Sequence, residues 1–137
     1  MVEPILIERA DAIATVVINR PEKRNALNLD TWQRVADAFS SLSQDDDLRC
    51  IVIRGAGSEA FAAGADISGF ETERSNVAQV KHYSNVTHAA LQAIADCRHP
   101  TVAMIRGYCL GGGFEIATYC DLRIASENAR LGIPVKL

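Results

Sequence analysis

The sequence lacks any concentration of positive charge. Its 14 lysines and arginines are scattered among 17 acidic residues, a net charge of -3, so nothing marks a nucleic-acid or anionic-membrane partner. An uninterrupted apolar stretch of signal-peptide or membrane-spanning length is also missing, and acidic residues such as Glu3 and Glu8 come early. A soluble, untargeted, cytoplasmic protein is expected. Cys50, Cys97, Cys109 and Cys120 match no zinc or redox spacing, and their apolar neighbourhoods predict reduced core residues. His82, His88 and His99 lack metal-ligand spacing and read as solvated or core histidines, so no metal is expected. There is no GxxxxGK[ST] phosphate loop, no GxGxxG, no HExxH and no GxSxG, which removes the common nucleotide-binding and hydrolase chemistries.

What remains is a chain of 137 residues, 48% hydrophobic and 23% charged, enough for one compact domain with a real core. No low-complexity linker divides it. Short β-branched runs at Ile5 to Arg9 and Ile13 to Asn19 predict a hairpin, and Pro21 breaks the second. Asn28 or Asp30 is placed to cap a helix whose apolar positions Trp32, Val35, Ala36, Phe39 and Leu42 keep the helical period. Cys50 to Arg54 reads as a strand, and Phe61 to Asp66 as a glycine-broken loop. A long amphipathic helix is expected from about Ser75 to Cys97, ended by His99 and Pro100. Thr101 to Ile105 is a buried strand, Gly107 a turn, Phe114 to Tyr119 a short helix and Asp121 to Ala125 a further strand. Strands and helices alternating after an opening hairpin predict an α/β fold with much parallel pairing.

Two glycine-bearing loops follow separate strands: Ala63-Gly64-Ala65-Asp66, and Leu110-Gly111-Gly112-Gly113-Phe114-Glu115. In a sheet wound from strand and helix units such loops converge, and a glycine-rich helix start lets N–H groups approach an oxygen closely. Two such donors make an oxyanion hole. Alone, Gly111-Gly112-Gly113 reads as a tight turn with close helix packing. Glu115 adds chemistry, because it lies one helical turn beyond Gly112 and a carboxylate there can move a proton next to a bound carbonyl.

Three motifs in this order resemble the enoyl-CoA hydratase/isomerase (crotonase) family. They are Asn19 through Leu27 (NRPEKRNAL), Phe61 through Ile67 (FAAGADI), and Pro100 through Ala103 continuing from Gly107 through Glu115 (GYCLGGGFE) to Cys120 and Asp121. The likeness covers essentially the whole chain. It implies a crotonase-like spiral of ββα units, of which residues 1–137 would be the amino-terminal part of the core, without the carboxy-terminal helices that build trimers or hexamers in full-length members. It implies an acyl-CoA substrate, with coenzyme A carried by the substrate and no separate cofactor. By resemblance Ala65 and Gly112 are the two oxyanion-hole donors and Glu115 the first acid/base glutamate. Lys23, Arg24, Ala26, Leu27, Ala63, Gly64, Asp66, Ile67 and Gly111 line the substrate. Lys23 and Arg24 read equally well as a solvated turn, Asp66 as a cap or loop anchor, and Asp121 as structural.

Family hydratases carry a second glutamate just after the proline matching Pro134, where this sequence has Val135. Valine neither accepts nor donates a proton. Hydration of a 2-enoyl-CoA is the default expectation, with double-bond isomerisation, decarboxylation or a non-catalytic acyl-CoA-binding module as alternatives.

Overall fold

A computed structural model describes residues 2–134. The position of Val135 lies outside the described residues. The opening hairpin forms as its sequence requires: β1 (Ile5–Ala10) pairs antiparallel with β2 (Ile13–Ile18), and Asp11 takes the left-handed conformation in the turn (φ 54). Aspartate is among the few residues that tolerate it.

Helix α1 (Leu29–Ser43) starts at Asn28 rather than Asp30. The Asn28 carboxamide oxygen accepts from the Thr31 N–H at 2.9 Å and the Thr31 hydroxyl at 2.6 Å, a cap worth about 1 kcal/mol. Its predicted apolar stripe, Trp32, Val35, Ala36, Phe39 and Leu42, is buried throughout. Each large side chain removed from water in this way contributes about 1.5–3 kcal/mol.

After α1 the chain runs β3 (Cys50–Gly55), β4 (Ala60–Ala62), the short α2 (Phe70–Glu73), the long α3 (Val77–Ala95), β5 (Thr101–Ile105), β6 (Tyr108–Leu110), α4 (Gly112–Tyr119), β7 (Leu122–Ala125) and β8 (Arg130–Gly132). The expected repeat of ββα units is present, and its geometry is simple. The first strand of each pair joins a five-stranded sheet of order β1-β2-β3-β5-β7; the second joins a three-stranded sheet of order β4-β6-β8. Every pairing after the hairpin is parallel. Thr101 and Asp121 fasten β5 to the start of β7. The Asp121 carboxylate accepts from the Thr101 N–H at 2.8 Å, and the Thr101 hydroxyl accepts from the Asp121 N–H at 2.9 Å, the structural role expected of Asp121.

Three readings need correction. Ala60–Ala62 is a fully buried strand, not part of a loop, because Tyr108 and Cys109 across the sheet supply its pairing. Tyr108–Leu110, read only as chain following a turn, is the central strand of that second sheet. Cys109 and Cys120 are buried as expected, but Cys50 and Cys97 are only half-buried, standing at the start of β3 and just beyond the end of α3.

Candidate active site

The strand-to-helix loops meet at one end of the molecule, and the segment 20–27 is the clamp that sets them. Arg24 and Asn25 take successive left-handed conformations (φ 52 and 56), turning the Asn25 side chain into the core, where it is fully buried. Its carboxamide donates to the carbonyls of Ala60 at 2.8 Å and Ala56 at 3.1 Å and accepts from the Arg20 N–H at 2.9 Å. The Arg20 guanidinium donates to the Ala26 carbonyl and, at 2.8 Å, to the Asp66 carboxylate.

Backbone bonds then lock the loop after β4. The Ala63 N–H donates to the Arg24 carbonyl (3.0 Å), the Leu27 N–H to the Gly64 carbonyl (2.8 Å) and the Asp66 N–H to the Leu27 carbonyl (2.9 Å). Leu27 thus engages both neighbours of Ala65 in a parallel bridge. In that pattern the intervening residue points its own N–H to the opposite side. Asp66 also accepts from the Ser68 hydroxyl at 2.5 Å and the Ser68 N–H at 3.0 Å, capping the 3-10 turn Ile67–Gly69. The Ser68 hydroxyl, with the Arg20 guanidinium, holds the Asp66 carboxyl down at about 2. Such a carboxylate is an anchor.

The second loop enters α4 through Gly111 (φ 54, ψ -120), a conformation that disfavours any side chain. A Cβ on Gly111 would lie 3.7 Å from the Gly64 Cα, so the two loops run side by side. Close packing explains the next two glycines. A Cβ on Gly112 would stand 2.7 Å from the Trp32 ring and 3.1 Å from Leu27 Cδ1, and one on Gly113 would reach 2.3 Å from the Ala62 carbonyl oxygen. The Gly112 N–H is one of the orphan donors of a helix start. Neither it nor the Ala65 N–H has an acceptor among the described residues.

Glu115 follows in the first turn of α4, half-buried, with no ion pair among the described residues. Its side chain lines a cavity of about 400 Å³ between α3 and α4, shared with Tyr83, Thr87, His88 and Tyr119 and reached by Arg74. Two unpaired amides beside a carboxylate can hold a carbonyl oxygen and move a proton at the neighbouring carbon.

A family model described as enoyl-CoA hydratase/isomerase matches residues 8–137. The chain belongs to the enoyl-CoA hydratase/isomerase family. Among its curated relatives, the short-chain-enoyl-CoA hydratase of Clostridium acetobutylicum is 36% identical over 130 residues, covering 95% of this chain and 49% of that protein. The peroxisomal Delta(3,5)-Delta(2,4)-dienoyl-CoA isomerase of Arabidopsis thaliana is 38% identical over 129 residues, covering 86% of this chain and 46% of that one. A crystal structure described as an enoyl-CoA hydratase/carnithine racemase from Magnetospirillum magneticum superimposes with a TM-score of 0.93 at 43% identity, over 98% of this chain and 50% of the other. The chain therefore has the crotonase fold, and it spans about half the length of the curated relatives it matches.

Against the residues expected from sequence, the structure brings Ala26, Leu27, Ala63, Gly64, Ala65, Asp66, Gly111 and Gly112 together, with Glu115 one turn away. Lys23, Arg24 and Ile67 lie on the outside of this cluster: Arg24 pairs with Glu59 at 2.8 Å and stacks over the Tyr108 ring, while Lys23 and Ile67 are exposed. Among the described residues no cluster of histidine, cysteine, aspartate and glutamate could hold a metal ion, and no helix is long and apolar enough to cross a membrane. Reading by motif left out Arg74 and His88, which share the Glu115 cavity, and the clamp role of Arg20 and Asn25.

Proposed function

We propose that the chain is the amino-terminal part of the catalytic core of an acyl-CoA enzyme that stabilises a thioester enolate, with hydration of a 2-enoyl-CoA as its reaction. The observation that carries this reading is the pair of acceptor-free amides, Ala65 and Gly112, on adjoining loops with Glu115 on the next helical turn. The two amides polarise the thioester carbonyl. Each such donor is worth about 3 kcal/mol in the transition state, making the pair the largest catalytic contribution. Glu115 transfers the proton at the carbon next to the carbonyl, an effect of about 10²–10⁴ in rate. Ala26, Ala63, Gly64 and Gly111 border the channel for the coenzyme A portion, buried Leu27 and Asp66 brace it from behind, and exposed Lys23, Arg24 and Ile67 stand at its outer rim. The coenzyme arrives on the substrate with no other cofactor. The reading extends to a cytoplasmic protein whose full-length form is a homotrimer or hexamer. Exposed Leu122 and Ile124 on β7, the edge of the five-stranded sheet, call for cover by the rest of such a full-length chain or by a second copy.

Val135 favours a second reading, double-bond isomerisation or decarboxylation, because both need the enolate but not a second glutamate. A spectrophotometric assay with crotonyl-CoA decides between them. Loss of the conjugated-thioester absorbance, abolished in Glu115→Gln, establishes hydration. Binding of the thioester without turnover rejects hydration and leaves isomerisation, decarboxylation or simple acyl-CoA binding.

A further inference from the structure

The cavity that holds Glu115 is poorly suited to a plain hydrocarbon chain. Val80 and Leu91 give it apolar wall, but Ser84, Thr87 and His88, at helical spacing on one side of α3, give it a polar one. The Thr87 hydroxyl oxygen is buried and has no hydrogen-bond partner among the described residues. A buried hydroxyl left in that state costs free energy that a polar ligand atom recovers. At the mouth stands Arg74, whose guanidinium carbon lies 4.6 Å from the centroid of the Phe70 ring and 5.1 Å from that of Tyr83. The two rings are themselves edge-to-face, 6.5 Å apart at 82°. Stacking of this kind fixes the plane of a guanidinium while leaving its N–H edge available.

Arg74 makes no ion pair among the described residues, and the nearby carboxylate of Glu73 turns instead to the Leu29 N–H at 3.3 Å. Arg74, Val80 and Ser84 also line a neighbouring space of about 580 Å³ at the start of α3, so an acyl group running past Glu115 has room beyond the guanidinium. A held, unpaired guanidinium matches a carboxylate bidentately.

We infer that Arg74 is a specificity residue for an acyl-CoA whose acyl end carries a carboxylate. The inference rests on the acyl-CoA reading above. A phosphate of coenzyme A offers the same anionic chemistry, but Arg74 shares its cavity with Glu115, the residue assigned to the reacting end of the acyl group.

The test uses two saturated thioesters that cannot turn over, glutaryl-CoA and butyryl-CoA, together with free coenzyme A, titrated calorimetrically into the chain and into Arg74→Gln. The expected result is glutaryl-CoA binding about tenfold to a hundredfold more tightly than butyryl-CoA, the worth of a charge-assisted hydrogen bond. Arg74→Gln removes that preference by weakening glutaryl-CoA selectively, with an unaltered circular-dichroism spectrum and thermal midpoint reporting an intact fold. Arg74→Lys keeps the charge, retains part of the preference, and serves where the glutamine variant does not fold. Equal binding of the two thioesters by the unaltered chain overturns the subsite and leaves the acyl-CoA reading standing. If neither thioester binds, the acyl-CoA reading itself fails, and the subsite with it. An equal weakening of both thioesters and of free coenzyme A in Arg74→Gln assigns the arginine to a phosphate and overturns the inference.

Discussion

Arg20 and Asp66 stand 46 positions apart, yet the guanidinium donates to the carboxylate at 2.8 Å with both side chains largely buried. This pair joins the segment after β2 to the loop after β4, so it transmits the position of one to the backbone of the other. Since the folded-state carboxyl is held at about 2 against an ordinary 3.8, its contribution is fully present above the ordinary value and is lost as pH falls through the folded one. The contribution is about 1–2 kcal/mol once solvent screening is allowed for. Unfolding free energies from urea titrations of the unaltered chain and Asp66→Asn should differ by that amount near pH 7, and the gap should narrow by roughly half near pH 3. A gap that stays constant with pH would falsify the assignment.

Asn25 is the more costly residue to lose. An alanine side chain in its place would leave the Ala56 and Ala60 carbonyls and the Arg20 N–H without their partner, and would sit in a left-handed conformation that asparagine tolerates better. Asn25→Ala is expected to cost about 3 kcal/mol in chemical denaturation. Asn25→Gly relieves the backbone strain but not the missing bonds, so it should recover only about 1 kcal/mol of the loss. Full recovery by glycine would mean that conformation, and not hydrogen bonding, fixes this loop.

The glycines make a paired prediction about packing. Gly113→Ala drives a methyl group against the Ala62 backbone, which cannot swing aside as a side chain does, at a cost of about 2–3 kcal/mol. Gly132 has nothing within 4 Å of the equivalent position, so Gly132→Ala should change stability by less than about 0.5 kcal/mol. Comparable losses in the two variants would show that the contact between α4 and β4 is looser than the structure has it.

Burial separates the four cysteines into two classes. It pushes the thiols of Cys109 and Cys120 up to about 12 and raises that of Cys50 to a lesser degree. Titration of the native chain with an aromatic disulfide reagent should therefore modify Cys97 and, more slowly, Cys50. Cys109 and Cys120 should react only after unfolding. Rapid native modification at all positions would place the second sheet in exchange with an open form.

The sequence carried some elements plainly and hid others for a physical reason. The α1 stripe and the β2, β3 and β5 runs are legible because periodicity and β-branching are local properties, and capping chemistry acting over three residues narrows the α1 start to Asn28 or Asp30, while the Asn76 cap of α3 emerges only in the structure. Ala60–Ala62 and Tyr108–Leu110 are strands only because each finds the other across the sheet, an event their three-residue sequences do not encode. The candidate site divides in the same way. Its glycine loops and Glu115 stand in recognisable order, whereas Arg74 reaches the Glu115 cavity only through the packing of Phe70 against Tyr83. Likewise, Asn25 reveals its role only once two consecutive left-handed residues turn its side chain inward.

The groups proposed to polarise the carbonyl are main-chain amides, set by loop contacts that involve Gly64 and Gly111, while the groups proposed to select a substrate and move its proton are side chains on α3 and its neighbours. Backbone amides cannot be exchanged by a codon change; Arg74, His88 and Glu115 can. Substitution at those three positions leaves the proposed oxygen-binding frame in place, so a library over Arg74, His88 and Glu115 should yield folded protein far more often than one over the 63–65 and 111–113 loops. The fold thus separates a fixed chemical instrument from a replaceable set of instructions for its use.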